Sequence, residues 1–145
     1  MSTRPVRFLL IEDDDSHAEL IELALAENRV ANTLRRVPDG GEGLKFLRGE
    51  DPYTAELRPD VILLDLKLPK IDGLELLGIV KQDPHLRLIP VVVLTTSAAE
   101  VDRARAYEQH ANSYLVKPID FIQFHQMVKD LQLYWTAWNA PPPIL

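Results

Sequence analysis

The 145-residue sequence contains no cysteine, which excludes disulfide bonds and thiolate metal sites. No apolar run approaches the roughly 20 residues that span a bilayer, and the first residues do not resemble a signal peptide. An excess of basic residues is also missing, since the formal net charge at pH 7 is -6. That charge disfavours binding to nucleic acid. We therefore expect a cytoplasmic protein that binds neither nucleic acid nor a membrane.

The length and composition fit one soluble domain. Hydrophobic residues make up 46% of the chain and charged residues 26%, as in ordinary globular proteins. We expect a single domain over residues 1–145, with a folded core of about 6–138. The tail at 139–145 contains three consecutive prolines and should not be helical.

Short apolar runs alternate with helical patterns along the chain. The runs at 8–11, 61–64 and 91–94 are continuously apolar, which is typical of parallel strands buried on both faces. The stretches 33–37 and 113–116 are more polar and are predicted to be edge strands. Helices are predicted at 17–28, 41–48, 73–82, 100–109 and 120–138. This alternation predicts an α/β fold, a doubly wound parallel sheet of five strands with five helices.

Chemically active residues follow four of the predicted strands. Glu12 and Asp13 come after the first run, Asp65 after the third, Thr95 after the fourth and Lys117 after the fifth. Ligands of open α/β sheets bind at the carboxyl ends of the strands. We therefore expect three carboxylates, a hydroxyl and an ammonium to meet at one edge.

Three crowded carboxylates repel one another unless a cation lies between them. Mg²⁺ suits them, because it prefers carboxylate oxygens together with water and phosphate. Asp65 can face both a metal and a phosphoryl group, and aspartate is a known phosphoryl acceptor. Lys117 and Thr95 offer a charge and a hydroxyl to phosphoryl oxygens. The set predicts phosphoryl transfer to Asp65.

Each of these residues taken singly has a plain structural explanation. Asp14, Asp15 or Ser16 should cap the first long helix, and Asp72-Gly73 is compatible with a simple turn. Only the joint placement after separate strands favours a functional site. The histidines lack metal spacing, so we predict surface or capping roles for His17, His85, His110 and His125.

Four motifs carry a resemblance: Leu10-Ile11-Glu12-Asp13-Asp14, Leu64-Asp65-Leu66-Lys67-Leu68-Pro69-Lys70-Ile71-Asp72-Gly73, Val93-Leu94-Thr95-Thr96-Ser97 and Ser113-Tyr114-Leu115-Val116-Lys117-Pro118. Together they resemble the receiver domain of bacterial response regulators of the chemotaxis-regulator type. The resemblance covers nearly the whole chain. It implies a flavodoxin-like sheet with strand order 2-1-3-4-5 and a role in two-component phosphorelay signalling, with a sensor histidine kinase as phosphoryl donor.

The resemblance also assigns roles to residues. It implies that Glu12 and Asp13 hold Mg²⁺, with Mn²⁺ as an alternative, and that Asp65 is both phosphoacceptor and metal ligand. The backbone carbonyl of Lys67 is the remaining protein ligand. Thr95 and Lys117 contact the phosphoryl group, and Tyr114 is the switch residue whose rotamer follows Thr95.

Two positions depart from the commonest pattern of that family. Glu12 stands where aspartate is frequent, and Lys67 stands where a small polar residue is common. Since only the carbonyl of Lys67 is a ligand, metal binding should survive. The resemblance places the Lys67 side chain near the mouth of the site, and the sequence leaves open what it does to the lifetime of the phosphoryl group.

A narrower resemblance points to regulators paired with bacterial and cyanobacterial phytochromes. It rests on Asp51-Pro52-Tyr53, Val92-Val93-Leu94-Thr95-Thr96-Ser97, Ala111-Asn112-Ser113-Tyr114-Leu115 and Tyr134-Trp135. The kinase partner that it implies is a bacteriophytochrome.

Two other functions compete with the switch. An aspartyl-phosphate hydrolase would use the same strand-end aspartate, but usually carries a second acid two residues later, where this chain has Lys67. A receiver that acts only as a binding module is disfavoured by the intact Asp65, Thr95 and Lys117. We therefore expect no enzymatic turnover beyond the chain's own phosphorylation and dephosphorylation.

The last predicted helix carries more apolar surface than one buried stripe explains. The stripe contains Phe121, Phe124, Val128, Leu131, Trp135 and Trp138. Outside it lie Ile122, Met127, Leu133 and Tyr134. This surplus predicts a homodimer through the fourth helix, fifth strand and fifth helix. The alternative is that the tail folds back and covers the surplus with Ile144 and Leu145.

We also expect no DNA-binding helix-turn-helix in this sequence, because too few residues follow Lys117 to form one.

Overall fold

A five-stranded parallel sheet forms the centre of the computed structural model, which describes residues 4–27 and 32–143. The strands are β1 Val6–Ile11, β2 Asn32–Val37, β3 Val61–Leu64, β4 Val91–Thr95 and β5 Ser113–Val116. Their order in the sheet is β2-β1-β3-β4-β5, and all four pairings are parallel. The predicted doubly wound, flavodoxin-like topology is confirmed, as are the two edge strands.

A helix follows each strand, and the helices cover both faces of the sheet. They are α1 Asp15–Ala26, α2 Gly40–Arg48, α3 Gly73–Gln82, α4 Glu100–Glu108 and α5 Phe121–Leu133. Four of them are capped by the aspartate that directly precedes the helix and accepts a backbone N–H with its side chain: Asp14, Asp39, Asp72 and Asp120. Because Asp14 is the cap, α1 begins two residues before the predicted start. The predicted end of α1 at Asn28 lies outside the described residues.

The last helix differs from its prediction as one continuous element. After α5 the backbone widens into a π-helical turn, Tyr134–Trp138. The Thr136 hydroxyl donates a hydrogen bond to the Gln132 carbonyl at 2.7 Å. Such a bond competes with the regular backbone ladder and often bends helices.

The predicted apolar stripe is therefore buried only in its middle. Phe124, Val128 and Leu131 pack in the core, whereas Phe121 and Trp138 at the two ends are exposed. Phe121 is the first residue of α5, and the wider π turn rotates Trp138 away from the phase of the stripe. The expectation that these six residues form one buried stripe was wrong at both ends.

Two apolar layers cover the sheet. Leu9 and Ile11 face a layer built with α2, α3 and α4, while Phe8 and Leu10 face a layer built with α1 and α5. Burial on both faces explains why the strand residues 8–11, 61–64 and 91–94 are continuously apolar. Polar residues are consequently confined to the strand ends, where the site forms.

The segment 139–143 is not helical, as predicted for the proline-rich tail. The alternative in which Ile144 and Leu145 cover the apolar surface lies outside the described residues. None of the helices within 4–27 and 32–143 combines the length and the apolar character that a membrane crossing requires.

Candidate functional site

Charged and polar residues are buried where the strands leave the sheet. Glu12 is 1% exposed, Lys117 4% and Asp65 9%, and Thr95 is fully buried. Each of them ends a strand or directly follows one. Buried charges are costly unless they are paired. The contacts between them therefore define the site.

The Lys117 ammonium is the centre of these contacts. It donates to Glu12 Oε1 and to Asp65 Oδ2, the latter at 3.1 Å. The backbone N–H of Lys117 donates to the Thr95 carbonyl at 2.7 Å, which ties the end of β5 to the end of β4. The structure thus brings together residues at the ends of four strands, β1, β3, β4 and β5.

Three carboxylates converge beside this ammonium. Glu12, Asp13 and Asp65 each offer one oxygen, and these atoms all lie within 4.8 Å of one another. Asp13 is exposed, whereas the other two are buried, so the cluster opens to solvent on one side. Clustered carboxylate oxygens are the donors that hard divalent cations such as Mg²⁺ and Mn²⁺ prefer, so the donor set fits the predicted metal.

The Glu12 carboxyl has an unusual proton affinity. Burial raises its pKa to about 7; the hydrogen bond from Lys117 opposes this rise, and the nearby charge of Asp65 adds to it. Desolvation outweighs the lysine, so one ammonium does not compensate both buried acids. A cation that replaces the proton would relieve this excess of negative charge.

Arg36 holds the loop that carries the first two acids. Its Nε and Nη2 donate to the Glu12 carbonyl at 2.9 and 2.7 Å, and its Nη1 donates to Asp15 Oδ1 at 2.9 Å. The Asp14 N–H also donates to Glu12 Oε2 at 3.2 Å. Arg36 was not among the predicted site residues. Its signal is visible only once β2 is known to pair with β1.

The loop after β3 packs tightly behind Asp65. A Cβ on Gly73 would lie 2.3 Å from the Asp65 carbonyl oxygen, so a side chain is sterically excluded there. The Gly73 N–H donates to the Leu66 carbonyl at 2.9 Å. Asp72-Gly73 therefore does more than form a turn, since it caps α3 and lets that helix approach the backbone of Asp65.

Lys67 lies in the same loop with an exposed side chain. Its backbone N–H lies 3.4 Å from Asp65 Oδ1. The role of its carbonyl as a metal ligand stays a prediction.

Thr95 and Tyr114 meet through a third residue. The Thr95 hydroxyl accepts a hydrogen bond from the Ser97 N–H at 3.3 Å, and the Tyr114 hydroxyl donates to the Ser97 carbonyl at 2.9 Å. Ser97 Oγ in turn donates to Asp102 Oδ2 at 2.6 Å in α4. Ser97 was not among the predicted site residues, although it lies in a quoted motif.

His17 also reaches the site, which its spacing did not indicate. Its Nδ1 lies 2.9 Å from Lys117 Nζ. The predicted surface position of His17 is only partly correct, because no more than 29% of its side chain is exposed. Of the other histidines, His85 is exposed and His125 pairs with Glu27 at 3.1 Å.

Comparison with known proteins identifies the class of this molecule. Residues 8–129 match the family described as the response regulator receiver domain. The chain therefore belongs to that family, whose members are signalling proteins that accept a phosphoryl group and bind a divalent metal ion. Membership implies a histidine kinase as the donor.

Particular relatives are similar over nearly their whole length. Response regulator Rcp1 of Synechocystis sp. is 40% identical over 92% of this chain and 91% of its own. A probable methanogenesis regulatory protein, FilR2 of Methanothrix harundinacea, is 42% identical over 95% of this chain and 88% of its own.

A solved structure of the phosphorylated cyanobacterial phytochrome response regulator RcpA superimposes on the chain with a TM-score of 0.92. It is 41% identical and covers 96% of this chain and 99% of its own. The Mn²⁺-bound form of Rcp1 has a TM-score of 0.91 and 38% identity, and covers 96% of this chain and all of its own. The resemblance to phytochrome response regulators is confirmed.

Proposed function

We propose that this chain is a phosphorylation switch in which Asp65 accepts a phosphoryl group beside Mg²⁺. Glu12, Asp13, Asp65 and the carbonyl of Lys67 would hold the ion. The observation that carries the proposal is the buried ammonium of Lys117, which contacts Asp65 and Glu12 at the edge where three carboxylates converge.

In the proposed transfer, an Asp65 carboxylate oxygen forms a bond to phosphorus while the bond from phosphorus to the donor breaks. The donor leaves with that bonding pair. Bound Mg²⁺ would offset the negative charge of the approaching groups. Lys117 would hold one phosphoryl oxygen by charge, and the Thr95 hydroxyl would donate to another.

The switch would run through Ser97. If the Thr95 hydroxyl turns to a phosphoryl oxygen, its hydrogen bond from the Ser97 N–H is lost. The Ser97 carbonyl also holds the Tyr114 hydroxyl, so the β4–α4 loop and Tyr114 would shift together. This couples the site to α4 and β5, consistent with the predicted switch roles of Thr95 and Tyr114.

Acetyl phosphate with Mg²⁺ tests the central assignment. Intact mass should show one added phosphoryl group, and Asp65→Asn should abolish it. Undiminished labelling of that variant would contradict the assignment. Binding of beryllofluoride with Mg²⁺ separates a working receiver from a binding-only module. Steady turnover of a phosphomonoester would instead support the hydrolase alternative.

The kinase and the compartment complete the proposal. Because the relatives include phytochrome response regulators, we infer that a bacteriophytochrome-type histidine kinase phosphorylates this chain in the cytoplasm. Phosphotransfer profiling should then show fastest transfer from such a kinase.

We also expect an output through protein contacts, without nucleic acid. Salt-dependent binding to random duplex DNA at micromolar protein would contradict that expectation.

The homodimer is proposed for the face of α4, β5 and α5. Exposed apolar side chains there include Val101, Tyr107, Val116, Ile122, Leu133 and Tyr134. Of the predicted surplus, Met127 is instead partly buried against the core. Exposed apolar groups on neighbouring elements are typical of an interface. Sedimentation equilibrium with and without beryllofluoride should show a dimer that Tyr134→Glu weakens; monomers throughout would refute it.

A further inference from the structure

The imidazole of His17 is one of three groups around the Lys117 ammonium. An ammonium has three N–H donors and no acceptor. Lys117 uses these donors on Glu12 Oε1, Asp65 Oδ2 and His17 Nδ1. His17 Nδ1 must therefore accept the hydrogen bond, which assigns the ring proton to Nε2.

One contact fixes the backbone of His17 and another fixes its ring. The backbone N–H of His17 donates to Asp14 Oδ1 at 3.0 Å, which fixes the first turn of α1. The ring also packs on the Phe124 ring of α5, with centroids 5.9 Å apart. Asp14 Oδ2 lies 3.8 Å from Nδ1, beyond hydrogen-bond length, whereas Lys117 Nζ lies at 2.9 Å. The imidazole is thus aimed at the lysine.

The other two partners of Lys117 have competing duties in the proposed function. Glu12 and Asp65 would turn to the metal ion, and Asp65 would also take the phosphoryl group. His17 has neither duty, so its hydrogen bond can persist while the carboxylates exchange partners. Without that bond, the ammonium would lose partners as the carboxylates turn away and before a phosphoryl oxygen replaces them, and an unpaired buried donor is costly.

We propose that His17 is a positioning residue for phosphoryl acceptance, holding Lys117 where its ammonium meets the phosphoryl oxygen. This inference rests on the proposed function of Asp65. It acts on the transfer step through Lys117 and does not touch the metal ligands directly. Loss of the bond should slow phosphorylation while leaving the fold intact.

Two substitutions separate hydrogen bonding from packing. His17→Phe keeps a ring against Phe124 but removes the acceptor. His17→Asn removes the ring but places an amide oxygen near the position of Nδ1. A matched control is His85→Ala, which changes an exposed histidine in the loop after α3.

The measurement is the initial rate of phosphorylation by acetyl phosphate at saturating Mg²⁺, followed by intact mass. We expect His17→Phe to be roughly five- to tenfold slower, the size of one lost hydrogen bond, and His17→Asn to recover most of the rate. His85→Ala should match the wild type. Circular dichroism and thermal unfolding should show that all variants are folded.

Each remaining outcome overturns something definite. A His17→Phe rate equal to wild type would overturn the positioning role, provided that wild type is labelled and Asp65→Asn is not. Equal slowing of the Phe and Asn variants would also overturn it, because the acceptor would then be irrelevant. An unlabelled wild type, or a labelled Asp65→Asn, would overturn both the positioning role and the proposed function.

Discussion

Two lysines lie at opposite ends of the strands of the same sheet. Lys117 lies at the carboxyl ends of the strands and contacts Glu12 and Asp65. Lys81, at the end of α3, lies at the amino ends of β4 and β5. It donates to the carbonyls of Arg87 and Ile89 at 3.1 and 2.8 Å, and to the amide oxygen of Asn112 at 3.0 Å.

The difference lies in what each ammonium touches. Lys81 uses its three donors on uncharged oxygens, and burial lowers its pKa because no charge compensates it there. Lys117 faces two carboxylates, which in the proposed function would leave it for a metal ion or a phosphoryl group. A buried lysine among carbonyls connects loops, whereas one among exchangeable carboxylates can take part in chemistry.

The largest effect is expected from removing the ammonium of Lys117. Lys117→Met should slow phosphorylation by acetyl phosphate about a hundredfold, the effect that loss of one preorganised charge-stabilising donor has in enzyme active sites. Lys81→Met should react at the wild-type rate. The comparison fails if Lys117→Met is labelled as fast as Lys81→Met in the same mass assay.

Removing the structural ammonium should instead reduce stability. Lys81→Met removes the ammonium donor from two backbone carbonyls and from the Asn112 amide oxygen, which keeps its hydrogen bond from the Val91 N–H. We expect the free energy of unfolding to fall by about 1–3 kcal/mol. Urea unfolding followed by tryptophan fluorescence measures this. Lys81→Arg, which keeps a charge and donors, is the control. Unchanged stability of Lys81→Met would show that its contacts contribute nothing.

The acid beside Lys117 should make metal binding depend on pH. Glu12 must lose its proton to bind a cation, and its pKa is raised to about 7. Mg²⁺ should therefore bind roughly tenfold more tightly at pH 8 than at pH 6, with proton release. Calorimetry measures both affinity and protons. The affinity of Glu12→Gln should be lower and independent of pH, and a flat profile in the wild type would contradict the assignment.

Without metal, the raised pKa of Glu12 should make the free energy of unfolding fall as pH rises, whereas it makes metal binding stronger. The folded protein binds the Glu12 proton more tightly than the unfolded chain does. Glu12 therefore contributes stability that is full below its ordinary pKa and is lost as pH rises through about 7. Saturating Mg²⁺ should reverse this trend, since the ion then takes the place of the proton.

The smallest effect is expected at Arg36, which resembles Lys81 in contacting a backbone carbonyl but lies at the functional edge. Arg36→Gln should weaken Mg²⁺ binding about fivefold by loosening the loop of Glu12. Arg35→Gln is the matched control, because Arg35 pairs with Glu56 outside the site. Equal affinities in the two variants would limit Arg36 to a structural role.

Local pattern was sufficient for most of the fold. The runs at 61–64 and 91–94 predicted buried parallel strands because both faces of the central strands are covered by helices. Helix starts were less certain where several capping residues follow one another, as at Asp14, Asp15 and Ser16. Only the backbone geometry selects Asp14. The π turn and the hydrogen bond that the Thr136 hydroxyl makes within it leave no trace in the apolar periodicity.

The sequence was sufficient to predict the polar residues that follow a strand: the acids at 12, 13 and 65, Thr95 and Lys117. A parallel sheet brings its carboxyl ends together, so strand position alone predicted their convergence. Tertiary structure decided which groups complete the site. His17 lies 100 residues from Lys117 and Arg36 lies 24 from Glu12 along the chain. Such contacts depend on how α1 packs on α5 and how β2 pairs with β1, and neither distance is encoded in local pattern.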